Sequence, residues 1–318
     1  MKRLFGTAST GETVDAVTLT AGDLSVTILT WGAIVQDVRL AGTPYNLSIG
    51  SDDIADYEGE KMHHGSLIGP IANRISTGRV RIDGMMYELE RNQDGRIHLH
   101  SGRQATHRRL WTIDEASATK AVLSCTMRDG ECGLPGNRKV TVVYEVIAPS
   151  ALHITIDCVT DADTLINFAN HSYWNLDGTA CYDGHSLQVL ADHYLPVTKD
   201  NCPTGEIVDV AGTQMDFRTA RKITVINPPF DNNFCLSDQP REIQDALRLT
   251  GANGVSLTVA TDQTGIQVFD NRPDYKGLAI EAQGWPDAPT NRNFPSILVT
   301  PDAPYHQSTR FTFENGSI

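Results

Sequence analysis

Two segments carry the clearest chemistry: Asn170-His171-Ser172-Tyr173-Trp174-Asn175-Leu176 and Glu281-Ala282-Gln283-Gly284-Trp285-Pro286-Asp287. Each sets one titratable group among aromatic and amide neighbours. One imidazole and one carboxylate make an acid/base couple able to move protons near neutral pH. Aromatic faces cover apolar C–H patches and amides bond hydroxyls, so the combination points to carbohydrate.

On an extended segment alternate side chains share a face, so Glu281 and Gln283 should look into one groove while Ile280 and Ala282 turn to the core. The commoner fate of a Glu is a solvated surface. The rigid aromatic loop from Gly284 to Pro289 and the apolar run before Glu281 favour function instead. His171 stands in a segment with few charges, where a partly buried ring is either a catalytic group or a satisfied core histidine.

In Arg96-Ile97-His98-Leu99-His100-Ser101-Gly102 the two histidines share a face by the same alternation. Such H-x-H spacing also suits a metal, but no Cys or carboxylate accompanies it locally, so no metal is expected. Arg74 follows small and apolar residues in Ala72-Asn73-Arg74-Ile75. It is a fork-like donor aimed into a cleft, or half of a structural ion pair. Asp231, in Phe230-Asp231-Asn232-Asn233-Phe234, is fit to accept two sugar hydroxyls, or to cap a turn.

The elements that position these groups read as strands. Leu24, Val26 and Ile28 alternate with Ser25 and Thr27, and Val140, Val142, Tyr144 and Val146 with Thr141, Val143 and Glu145. Leu152, Ile154, Ile156 and Cys158 alternate with His153, Thr155 and Asp157. Gly and Pro punctuation, as in Asp129-Gly130 and Pro135-Gly136-Asn137, suits many short strands joined by turns. Residues 240–249 are the best helix candidate, with Ile243, Ala246, Leu247 and Leu249 at helix-like spacing. No repeat or linker divides the chain. The expectation is an all-β protein, one large antiparallel β-sandwich domain over residues 1–318.

Bulk properties narrow the partners. A formal charge of -13 opposes nucleic acid, and the basic runs Lys2-Arg3 and Arg108-Arg109 are too short to displace counterions. No apolar run approaches membrane-spanning length, and polar and Gly residues follow the first basic ones. The 6 cysteines form no C-x-x-C pair and should remain thiols. A cytoplasmic protein, monomeric or homodimeric, acting on a small molecule is the expectation.

Together, the segments resemble the aldose 1-epimerase family, also called galactose mutarotases. The likeness runs in order through Trp31-Gly32-Ala33, Ala72-Asn73-Arg74-Ile75, Leu99-His100-Ser101-Gly102, Asp129-Gly130-Glu131, Asn170-His171-Ser172-Tyr173, Asp231-Asn232-Asn233-Phe234 and Glu281-Ala282-Gln283. The resemblance implies a large β-sandwich without a cofactor, acting on a free monosaccharide such as galactose or glucose. It implies Glu281 as catalytic base and His171 as acid, with Arg74, His100 and Asp231 holding the sugar and Asn73 and Gln283 beside them. Ser101, Leu134, Trp174 and Asn232 depart from the usual family pattern and put the shape of the pocket in question.

Three rivals share these groups. A retaining glycosidase needs two close carboxyls. A hexose-phosphate 1-epimerase should gather cations, for which Arg103, Arg108 and Arg109 are available. A sugar-binding protein of the same fold would have lost turnover.

Overall fold

A computed structural model of the chain describes residues 2–225 and 229–316. Wherever apolar residues recur at every second position, strands form. Arg138–Ile147 and Ala151–Thr160 bury alternate side chains and pair in unbroken antiparallel register from Arg138 opposite Thr160 to Ile147 opposite Ala151. They lie within a nine-stranded sheet whose centre also takes the C-terminal strand Tyr305–Glu314, between Ala151–Thr160 and Ser256–Thr261. A four-stranded sheet, Lys2–Thr7 to Val35–Leu40, precedes it.

The site stands on a separate six-stranded sheet, in the order Tyr173–Trp174, Leu278–Gln283, Gly265–Phe269, Asp231–Cys235, His193–Tyr194 and Val208–Asp209. Its back packs on the nine-stranded sheet. Trp174, fully buried, sets its indole 5.5 Å from the rings of both Phe311 and Phe313. Gln307 of the same C-terminal strand donates a 2.9 Å hydrogen bond to the Ala282 carbonyl. Apolar burial on this scale dominates the folding free energy, and the amide contact keeps a polar group satisfied inside it.

Among the described residues the one α-helix is Ile54–Glu58, capped by the Asp53 carboxylate on the Ala55 N–H. The helix candidate over residues 240–249 is instead the strand Gln244–Thr250. A bulge between Asp245 and Leu247 breaks its register with Ser256–Thr261. The extra residue lets Ala246 and Leu247 both turn inward, which imitates helical spacing in the sequence. All 6 cysteines are free thiols.

Candidate active site

Direct cross-strand partners share a face of a sheet. Glu281 opposes Gln267, Gln267 opposes Asn233, and Gln283 opposes Gly265. Glu281, Gln283, Gln267, Asn233 and Asp231 therefore project from one face, while Ile280, Val268 and Phe234 enter the core behind it. Gly265 leaves room there: a Cβ would collide with the Asn233 amide.

His171 follows the short strand Ala169–Asn170 and meets this face from the side, its Nε2 3.4 Å from Glu281 Oε1. Both residues are almost wholly enclosed, at 3 % and 2 % exposure, which excludes the solvated reading of Glu281. Glu281 Oε2, His171 Nδ1 and both amide atoms of Gln283 are buried with no hydrogen-bond partner among the described residues. Leaving such groups unpaired is costly, so a cluster of them marks a place where a polyhydroxylated ligand would be held.

Burial sets the protonation of the pair. It pushes the Glu281 carboxyl up to about 8, helped by the charge of Asp231 and opposed by Arg74. It drives His171 well below the ordinary imidazole value, with His63 and His64 adding to the effect. Burial thus favours the neutral form of each group, with the proton on the carboxyl rather than the imidazole, and the two titrate as a unit. The Tyr173 ring covers the imidazole at 5.0 Å and itself stacks on His64 at 4.2 Å.

The remaining candidates converge as well. Arg74 donates to Gln93 Oε1 at 2.9 Å and approaches Asp231 Oδ2 at 3.4 Å, while Gln267 donates to Asp231 Oδ1 at 2.8 Å. The Asn73 N–H donates to His100 Nδ1 at 3.1 Å, and the His100 N–H donates to the Asn73 carbonyl at 2.9 Å. Because Nδ1 accepts, the proton of the neutral His100 ring belongs on Nε2, which makes it a donor. The His100 ring centre lies 5.4 Å from that of His171. Neutral and charged donors, an acceptor carboxylate and the titratable Glu281–His171 pair thus lie close together.

The aldose 1-epimerase family profile matches residues 15–312. The chain belongs to the aldose 1-epimerase family. It is 32% identical to galactose mutarotase of Sus scrofa over 98% of both chains, and 28% identical to aldose 1-epimerase of Escherichia coli K12 over 91% of both. The crystal structure of galactose 1-epimerase from Lactobacillus acidophilus superposes with a TM-score of 0.87 at 26% identity, covering 100% of this chain and 99% of that one. The protein is accordingly an isomerase that interconverts the anomers of an aldose.

Three departures from the aldose 1-epimerase pattern, Ser101, Asn232 and Leu134, make their contacts with groups other than Glu281 and His171. The Ser101 hydroxyl exchanges hydrogen bonds with the backbone of Ile71. Asn232 projects opposite to Asp231 and donates to the Leu195 carbonyl, and Leu134 packs with Ile71, Val80 and Leu165. His98 does not join His100: its Nδ1 pairs with the Glu90 carbonyl, and a positive φ of 49° at His100 turns the chain out of the extended form on which a shared face depends. Among the described residues no three His, Cys, Asp or Glu side chains are placed to hold a metal.

Sequence reasoning missed Gln267 and His63. Gln267 had a signal, as the one polar side chain in the buried strand Gly265–Phe269. His63 had none, since its rings-in-contact partners His100, His107 and His171 are all distant in sequence. A cavity of about 440 Å³ opens beside His63 and His100, whereas a larger one of about 560 Å³, bordered by Arg241, Asp262 and His306, holds none of the candidate groups. No helix among the described residues is long and apolar enough to cross a membrane.

Proposed function

We propose that the chain catalyses mutarotation of free aldohexoses of the galactose and glucose type, with Glu281 and His171 as the proton-transfer pair. The observation that carries this reading is the 3.4 Å approach of their side chains within a face of unpaired polar groups. The ionised carboxylate takes the proton of the anomeric hydroxyl and the imidazolium gives one to the ring oxygen, so the C1–O5 bond breaks to the open-chain aldehyde. Rotation about C1–C2 presents the other carbonyl face. In reclosure the neutral imidazole takes the C5 hydroxyl proton and the carboxyl returns one to O1.

In both halves the pair carries one proton in total, while two protons pass between it and the sugar. The distribution that burial favours, with the proton on Glu281, is the one reclosure needs. Opening needs it on His171, and sugar hydroxyls donating to the carboxylate would favour that form. Arg74, Asp231, Gln267, His100 and Gln283 hold the ring and its hydroxyls, with Asn73 fixing His100. No step calls for a cofactor.

The whole chain acts as one domain in this reading, because a single apolar cluster draws residues from Val17 to Phe313. Its free thiols suit the cytoplasm. The rivals fit less well. The close titratable partner of Glu281 is an imidazole, and Arg103 and Arg109 are engaged by Glu90 and Glu131, which leaves few cations for a phosphate. Polarimetry on freshly dissolved α-galactose and α-glucose should show accelerated approach to equilibrium. Hydrolysis of glycosides without that acceleration would remove the proposal.

A further inference from the structure

We propose that the cavity beside His100 is a subsite for a carboxylate carried on C5 of the sugar, so that hexuronic acids are turned over as well as neutral aldohexoses. This rests on the roles given above to Glu281 and His171. With O1 at Glu281 and O5 at His171, the direction of the ring is set. Gln267 and Asp231 stand on the next two strands of the sheet, on the side of Glu281 away from Tyr173–Trp174 and His171. The hydroxyls of C2 and C3 run towards them. The substituent on C5, beyond O5, therefore runs the other way, past His171.

In that direction lie the rings of His100 and His63, 5.4 and 5.6 Å from the ring of His171, and then His107, 5.1 Å from His63. They border the cavity of about 440 Å³ together with Glu90, Arg103 and Arg108. Its charges are unequal. Arg103 Nε sits 2.8 Å from Glu90 Oε1, and those two charges cancel. Among the described residues Arg108 has no carboxylate partner; its guanidinium contacts the Met62 sulfur at 3.6 Å. The buried His107 ring leaves Nδ1 without a hydrogen-bond partner among the described residues.

One unmatched guanidinium and the Nε2–H of His100 form a donor set for a compact oxyanion, with the neutral His107 ring beside them. One net positive charge matches a carboxylate. A phosphate dianion would leave a charge uncompensated next to Glu90. Burial keeps His63 low, at about 4, and His107 well below its ordinary value, so neither adds a standing charge for a second negative one.

The test is polarimetry on α-D-galacturonic acid beside α-D-galactose, with the wild-type chain and Arg108→Gln. Arg108 is exposed, so the substitution leaves the core intact. The wild type should accelerate both sugars. Arg108→Gln should lower kcat/KM for galacturonate by about tenfold or more, the worth of a charge-assisted hydrogen bond, and alter galactose turnover by less than about twofold. Equal losses on both sugars, no loss on either, or a wild type active on galactose and not on galacturonate overturns the subsite. An Arg108-dependent preference for galactose 6-phosphate over galacturonate overturns the carboxylate in favour of phosphate. Inactivity on galactose itself removes the roles of Glu281 and His171, and the subsite with them.

Discussion

Gln267 donates a 2.8 Å hydrogen bond to Asp231, and the two are brought together by adjacent antiparallel strands although 36 residues separate them in the chain. With Arg74 on its other oxygen, the Asp231 carboxylate is held in one orientation. In the sugar-holding role proposed for it, a group fixed in this way should bind substrate and transition state alike. Gln267→Leu should therefore raise KM for galactose by about tenfold and change kcat little, the pattern of lost uniform binding. A fall in kcat as large as that of the Glu281 variant would show that Gln267 acts in the proton transfer instead.

Glu281→Gln and His171→Ala should each reduce kcat by at least about a hundredfold, the usual share of a positioned acid or base. Thermal unfolding of both variants should stay cooperative. Retention of wild-type turnover by either one removes its assigned role.

The activity should follow the proton count of the pair. Above about 8 the shared proton is lost from Glu281, leaving none to give to the ring oxygen, so kcat/KM should fall with rising pH. The acid limb appears as His171 takes a second proton, which burial and its imidazole neighbours push well below 6.5. A pH profile of kcat/KM with a plateau across neutrality checks both limbs.

The same shift enters stability with a definite sign. Between 4.5 and about 8 the folded chain keeps on Glu281 a proton that the unfolded chain has released. The contribution of this carboxyl to stability is therefore present below 4.5 and declines as pH rises through that window. Glu281→Gln should flatten this part of the dependence, as read from urea midpoints between pH 5 and 8.

Trp174 tests the seam between the two sheets. Replacing it with Ala removes a fully buried indole from between Phe311 and Phe313. The expected cost is about 3–5 kcal/mol by urea denaturation. A loss below about 1 kcal/mol would mean that the seam does not depend on this ring.

Much of the architecture was legible because a strand with one buried face must alternate, as 138–147 and 151–160 do. The bulge at Asp245 was not, since one inserted residue mimics helical spacing and only the partner strand reveals it. Residue types and motif order likewise marked Glu281, His171, Arg74, His100 and Asp231 as candidates. Their meeting was decided by register: Gln267 lies beside Glu281, and His63 beside His100 and His171, through strand pairing and loop packing that join distant parts of the chain. The protonation of the pair was also settled there, because a pKa depends on desolvation and through-space charge, which the order of residues alone does not specify.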